Sequence, residues 1–257
     1  MTVYFIGAGP GAPDLITLRG SRIIGECQTC LYAGSLVPHE ILAMCPPDAT
    51  LIDTARMPLT EIVGHIEAAH AAGHHVARLH SGDLSLYSAL SEQQRELHSR
   101  GIDSEIVPGV PAFAAAAAAL DTELTVPGVG QSVLVTRVST LSTDMPTGED
   151  LATLARSGVT LALHLAAHRA EEIVAALTPH YGAACPTATV AFASRPEQQI
   201  VRCALDQLPA ALAQAEITKT AVIFVGRILD AGTQPGVTDS YLYSQARMNK
   251  LRSDRHA

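Results

Sequence analysis

The sequence has no tryptophan, four phenylalanines, six tyrosines, and two lysines, Lys219 and Lys250. So few flat rings leave no platform on which successive bases could stack. Positive charge is short as well. The 257 residues carry a formal charge of −8, with a pI of about 5.7, and lack the basic face that a phosphate backbone requires. A nucleic-acid partner is therefore not expected. Long apolar runs are also missing: the longest, residues 110–120, contains Pro111 and is too short to span a bilayer. No basic stretch precedes the first glycines, so no secretory signal, no membrane partner and a cytoplasmic location are expected. Five cysteines are an odd number in a long chain, which fits reduced thiols.

Several catalytic signatures are absent. There is no H-E-x-x-H, no G-x-S-x-G elbow and no Walker loop. Cys27-x-x-Cys30 stands alone. A zinc site needs two more ligands at matching spacing, and a redox pair would open a helix rather than close one. Buried thiols and no metal are expected. His164 and His168 straddle a strand end and a helix start, so they share no helical face.

What is present is an alternation of strand and helix patterns. Residues 2–6 form a short apolar β-run that ends at Gly7. Helix patterns follow at 17–26, 60–72 and 86–99, and strand patterns at 29–32, 76–79 and 104–107. An alanine-rich helix is expected over 113–120. This βαβ series favours a mostly parallel sheet with helices on its faces. Residues 123–130 carry Pro127, Gly128 and Gly130 without periodicity and read as a linker. A second α/β set follows. Its strands are expected at 132–136, 160–165 and 221–225, its helices at 149–156, 169–177 and 208–215. Residues 187–191 and 199–204 form an antiparallel pair about Ser194-Arg195-Pro196-Glu197. The expected organisation is a domain over 1–122, a linker over 123–130, a domain over 131–246 and a frayed polar tail over 247–257.

The sharpest motif is Gly7-Ala-Gly-Pro-Gly-Ala-Pro-Asp14, directly after the first strand. It matches G-x-G-x-x-A, the dinucleotide fingerprint. That fingerprint needs a helix to begin inside the glycines and an acid at the end of the second strand. Here Pro10 and Pro13 bracket the loop, and the second strand ends Tyr32-Ala33-Gly34. Three readings stay open: a nicotinamide or flavin site, a plain chain reversal, and a bare main-chain loop approaching another ligand. Small-residue turns recur at Ser81-Gly82-Asp83, Pro108-Gly109-Val110 and Gly34-Ser35. Asp83 is the one acid among them. It reads either as a ligand for a ribose or a cation, or as the N-cap of a helix beginning near Leu86.

Taken together, these motifs resemble those of a known family. Val3-Tyr-Phe-Ile-Gly-Ala-Gly-Pro-Gly-Ala-Pro-Asp-Leu-Ile-Thr-Leu-Arg-Gly20 resembles the opening signature of the S-adenosylmethionine-dependent tetrapyrrole methylases. Arg78-Leu-His-Ser-Gly-Asp83 is similar to their second motif and Val107-Pro-Gly-Val110 to their third. Thr160-Leu-Ala-Leu-His-Leu165 and Ala221-Val-Ile-Phe-Val-Gly226 look like the later ones. Tyr32-Ala-Gly-Ser-Leu-Val-Pro38 and Val107-Pro-Gly-Val-Pro-Ala-Phe113 look most like the branch acting on precorrin-4, on the route to cobalamin. Branches acting on cobalt-precorrin-4, precorrin-2 or uroporphyrinogen III stay open, as does a nicotinamide oxidoreductase outside the family.

The resemblance implies two α/β domains, the first mostly parallel and the second mixed, with the donor in a cleft between them. It implies S-adenosyl-L-methionine as methyl donor, S-adenosyl-L-homocysteine as product, a tetrapyrrole substrate and a homodimer. Carried over by position, the donor contacts are Pro10, Ser81, Gly82, Asp83, Leu86, Pro111, Ala112, Leu165, Ala193 and Ala221. Two positions depart from many relatives: Leu84 replaces a proline, and Pro111 replaces a threonine or serine. No catalytic base is identified. A polycarboxylate substrate on a chain of charge −8 requires a local basic trough, for which Arg19, Arg56, Arg137 and Arg195 are the candidates.

Overall fold

The structure, a computed structural model, describes residues 1–138, 144–233 and 240–253. It divides into two compact units: Met1–Ala115 with Phe192–Gln198, and Ala116–Ala191 with Gln199–Ala257.

The first unit contains β1 (Val3–Gly7), α1 (Leu18–Ile24), β2 (Thr29–Tyr32), α2 (His39–Leu42), β3 (Thr50–Asp53), α3 (Leu59–Ala71), β4 (Val76–His80), α4 (Leu90–Ser99) and β5 (Ser104–Val107). Its five strands are all parallel, in the order β3-β2-β4-β1-β5. Alternation along β1 sends Ile6 to one face and Val3 and Phe5 to the other. Ile6 packs with Ile23, Ile24 and Ile41 from α1 and α2. Val3 and Phe5 pack with Ile62, Val63, Ile66 and Leu97 from α3 and α4. Both sheet faces are thus covered, as an all-parallel sheet requires.

Two elements were not visible in the pattern, α2 and β3. β3 is an edge strand with Leu51 46% exposed, so it shows no apolar alternation. The helix expected from residue 86 begins at Leu90 instead. Tyr87 (φ 54°) and Ala89 (φ 52°) are left-handed, a conformation no helix can contain.

α5 (Ala112–Ala119) carries the chain from one unit into the other. Beyond it, Val126 and Gly130 exchange hydrogen bonds of 2.7 and 3.0 Å, closing residues 126–130 into a tight turn. The second unit then contains β6 (Val133–Arg137), α6 (Leu151–Ala155), β7 (Thr160–His164), α7 (Ala170–Tyr181), β8 (Pro186–Ala191), β9 (Gln199–Ala204), α8 (Leu208–Gln214), β10 (Ala221–Val225) and α9 (Gln245–Ser253). Its sheet runs β6-β7-β10-β8-β9; β6 and β7 are parallel and the other pairs antiparallel. The first sheet is therefore parallel and the second mixed. The part of the tail expected to fray is helical through Ser253.

Candidate functional site

Parallel strands put all their carboxyl ends on one edge, and ligands of open α/β sheets sit outside that edge. In the first unit β1, β4 and β5 meet there through glycines. Ala8 N–H donates to the His80 carbonyl at 2.7 Å. Gly9 and Gly82 then bond each other reciprocally at 3.1 and 2.7 Å. Gly109 lies against both neighbours: a Cβ built on it would stand 2.3 Å from the Gly82 oxygen and 2.7 Å from the Gly7 oxygen. One on Gly7 would stand 2.6 Å from the Gly109 nitrogen. No side chain fits at either position, because backbone, which cannot rotate away, occupies the space.

Asp83 locks this junction. Its Oδ2 accepts the Gly109 N–H at 2.9 Å, and its Oδ1 accepts the Ser85 N–H at 2.9 Å and the Ser85 hydroxyl. Partial burial works against ionisation, but bonds from Ser85, Gly109 and the Leu84 N–H outweigh it and hold the carboxyl below its ordinary range. The N-cap alternative for Asp83 fails: α4 starts at Leu90, and its N-cap position is Ala89. Leu84 is buried among Phe5 and Leu97.

The other expected contacts of this unit gather at the same edge. Gly82 faces Pro111 and Ala112, with the Ala112 nitrogen 3.7 Å from its Cβ position. The Pro111 carbonyl is already used by the first turn of α5, accepting Ala114 and Ala115 at 3.1 and 3.3 Å. Ser81 is exposed, Leu86 half-buried, and Pro10 and Ala193 buried. The Ala193 carbonyl lies 3.2 Å from the Cβ position of Gly11. Ala193 sits between left-handed Phe192 and Ser194, as Leu86 sits before left-handed Tyr87. Such backbone costs about 1–3 kcal/mol per residue and concentrates at ligand sites. Arg19 and Arg56 are exposed, at the start of α1 and just past β3, so both stand on the carboxyl-edge side. Arg195 differs, as described below.

Beneath the junction lies a polar group that motif reading missed. Arg78, 5% exposed, donates from Nε to Gln93 Oε1 at 3.0 Å and from Nη1 to Thr54 Oγ1 at 2.8 Å. Burial lowers its pKa to about 10, with Cys30 opposing. His80, 8% exposed, packs against the Phe5 ring. Burial and the Arg78 charge lower its pKa to about 3 against a hydrogen bond with the Ser88 backbone, and its Nε2 has no hydrogen-bond partner. Strand alternation placing two polar residues inward was the available signal.

In the second unit, β10 pairs Val222 with His164, which itself pairs with Arg137 across β6 and β7. Leu165, Ala221 and Arg137 therefore share one edge of that sheet. Leu165 is left-handed (φ 53°) and 55% exposed. Arg137 spends Nη1 and Nη2 on the carbonyls of Val138 (3.0 Å) and Asp144 (3.3 Å).

A dinucleotide site does not fit this geometry. Its fold places the second strand beside the first, in the order 3-2-1-4-5-6. Here β4 separates β2 from β1. The glycine loop runs into a 3₁₀ turn at Pro13–Leu15, and α1 begins only at Leu18, capped by Thr17. Residues 2–209 match the family model of the Tetrapyrrole (Corrin/Porphyrin) Methylases.

The chain belongs to the tetrapyrrole methylases. This methylase is 59% identical over 247 residues to a precorrin-4 C(11)-methyltransferase of Rhodococcus erythropolis, covering 96% of this chain and 98% of the relative. It is 40% identical to a cobalt-precorrin-4 C(11)-methyltransferase of Methanocaldococcus jannaschii, covering 89% and 88%. The X-ray structure of a cobalt precorrin-4 methyltransferase, a cobalamin biosynthetic enzyme, superposes with a TM-score of 0.86 at 37% identity, covering 89% of this chain and 96% of that one. A uroporphyrin-III C-methyltransferase from Thermus thermophilus, complexed with S-adenosylhomocysteine, gives 0.75 at 27% identity, covering 90% and 99%.

The residues of this methylase fit its family's methyl donor. Gly7 and Gly109 let the three strand ends close on one another, which brings the main chain around Pro10, Ser81, Asp83 and Pro111 to one edge, where a parallel sheet takes its ligand.

Proposed function

We propose that this chain carries out S-adenosylmethionine-dependent C-methylation of a corrin precursor, converting precorrin-4 to precorrin-5 in cobalamin biosynthesis. The Gly7–Gly82–Gly109 junction at the carboxyl edge of a parallel sheet carries the reading on the structural side. Identity of 59% to a precorrin-4 enzyme, against 40% to a cobalt-precorrin-4 enzyme, supports the metal-free substrate.

S-adenosyl-L-methionine supplies a sulfonium-bound methyl, an electrophile with its leaving group already attached. The protein's part is alignment, which can supply most of the acceleration. We assign donor binding to Pro10, Ser81, Gly82, Asp83, Leu86, Pro111, Ala112 and Ala193 in the first unit, and to Leu165 and Ala221 in the second. With the Pro111 carbonyl committed to α5, its contact is apolar. Arg19 and Arg56, exposed on the carboxyl-edge side of the first sheet, meet substrate carboxylates.

We read the 123–130 turn as the linker that leads from α5 into the second sheet, and the enzyme as a cytoplasmic homodimer. Five free cysteines support a reducing compartment; among the described residues no helix is long and apolar enough to cross a membrane. The deciding experiment offers purified precorrin-4 and carbon-13-labelled donor. One added methyl at C11 is expected; a methyl on another carbon, or none, overturns the assignment. Calorimetry with S-adenosylhomocysteine and with NAD tests the donor separately, and binding of NAD alone would return the dinucleotide reading.

A further inference from the structure

We propose that Arg195 is a positioning residue: with Ser194 it clamps the glycine loop, and it does not meet substrate carboxylates. The inference rests on reading that loop as part of the donor site. The segment Phe192–Gln198 follows β8 but packs within the first unit. Ser194 Oγ accepts the Ala12 N–H at 3.0 Å. The Arg195 stem fills the place where a side chain on residue 11 would stand: a Cβ on Gly11 would be 2.3 Å from Arg195 Cγ and 2.9 Å from its Nε. Beyond that contact, Nη2 donates to the Leu36 carbonyl at 2.9 Å, and Nη1 stands 3.9 Å from Glu197. One side chain therefore spans the glycine loop and the turn at Gly34–Leu36.

The burial separates Arg195 from the other candidates. Its side chain is 12% exposed, whereas Arg19 and Arg56 are exposed. A guanidinium recognises a carboxylate by presenting two parallel N–H groups to it, and this one already serves a carbonyl in the protein. The clamp itself is held under strain: Phe192 and Ser194 are left-handed non-glycine residues, kept so by the bond from Ser194 N–H to Gln198 Oε1 at 2.8 Å and that from Arg195 N–H to the Phe192 carbonyl at 3.0 Å. A loop rich in glycine loses more backbone freedom than any other on becoming ordered. Ordering it before the donor arrives removes that cost from binding.

The test compares R195K, R195M and S194A with the parent, and adds G11A to displace the stem from the opposite side. The readouts are S-adenosylhomocysteine affinity by calorimetry, and KM for donor and macrocycle against kcat. Denaturant midpoints establish the folded fraction. R195M, R195K and G11A should each weaken S-adenosylhomocysteine and raise donor KM about tenfold, the worth of one charge-assisted hydrogen bond. S194A should do so about three- to fivefold. Macrocycle KM should stay within about twofold, because the Arg195 guanidinium is engaged by the protein's own groups and the loop it holds is the one read as donor site. Failure of R195K to rescue is diagnostic, since lysine keeps the charge but not the reach to both segments. A rise in macrocycle KM with unchanged donor affinity, rescued by lysine, would make Arg195 a substrate-charge residue and overturn the clamp. Parental donor affinity in every variant would overturn it too, while leaving the donor-site reading intact. A parent that binds no S-adenosylhomocysteine overturns both. If R195M does not fold, R195K and S194A carry the same comparison.

Discussion

Asp83 accepts the backbone N–H of Gly109 at 2.9 Å, so one carboxylate joins the end of β4 to the end of β5. That bond crosses 26 residues of chain and holds Gly109 against the Gly82 and Gly7 backbone, where Gly109 could admit no Cβ. Asp83 thus shapes the glycine junction through the main chain, and in the proposed site it does so beside the donor.

Asp83→Asn should therefore lower both stability and donor affinity. The amide retains one acceptor oxygen and presents an N–H₂ where the other oxygen accepted. Hydrogen bonds to a charged group are worth about 1.5–3 kcal/mol, so S-adenosylhomocysteine affinity should fall by about one to two decades. The pH dependence has a definite sign. The folded carboxyl lies below its ordinary value of 3.8, so its contribution is present above that value and is lost as pH falls through the depressed one. The Asn variant should lack that part of the acid limb. Calorimetry and denaturant midpoints from pH 7 downward check both claims; unchanged affinity would remove Asp83 from the site.

Glycine substitutions should separate contact from conformation. Gly109→Ala brings a Cβ to 2.3 Å from a backbone oxygen and should destabilise by about 3 kcal/mol or more, since overpacking that only backbone movement relieves lies at the costly end. Gly64, in α3 and exposed, has no atom within 4 Å of its Cβ position. Gly64→Ala should stabilise by up to about 1 kcal/mol. Urea midpoints measured on both would refute the junction if Gly109→Ala proved neutral.

Local pattern carried the strands of the first sheet well, because Val3, Phe5 and Ile6 are buried on one face or the other and β1 ends at a glycine. The pattern failed where exposure hides alternation, as at β3, and where left-handed residues break a periodic run, as at Tyr87 and Ala89. Asp83 was legible as a candidate from its place after a strand. Its bond to Gly109, the mutual contact of Gly7 and Gly109, and the seating of Arg195 on Gly11 were not. All three join segments far apart in sequence, and Ser194-Arg195-Pro196-Glu197 looks locally like any other turn.

Chelation should leave the enzyme unaffected. A sulfonium methyl needs no Lewis acid, and alignment by main-chain groups needs no ion. Donor affinity and turnover measured before and after EDTA treatment and buffer exchange should agree within error. A large loss of both, restored by a divalent metal, would contradict the mechanism.

His80 should impose an acid-side loss of stability that its replacement removes. Its folded pKa is about 3 against an ordinary 6.5, because burial and the neighbouring Arg78 charge keep the ring neutral. The unfolded chain takes up a proton at His80 between those values and the folded chain does not. Stability is therefore full above about pH 6.5 and falls as pH drops towards 3, by about 1.4 kcal/mol per pH unit for one proton. His164, also lowered by burial, adds a contribution of the same sign, which the variant keeps. His80→Gln loses the packing on Phe5 and the bond with the Ser88 backbone, so it should be less stable than the parent at pH 7. Since glutamine takes up no proton, that deficit should shrink steadily from pH 6.5 to 4.5. Because the ring stays neutral in the folded parent, its bond with the Ser88 backbone is kept, and donor affinity should be flat over the same range. Denaturant midpoints at half-unit pH intervals decide the matter: parallel curves for parent and variant would show that His80 titrates alike in the folded and unfolded chain.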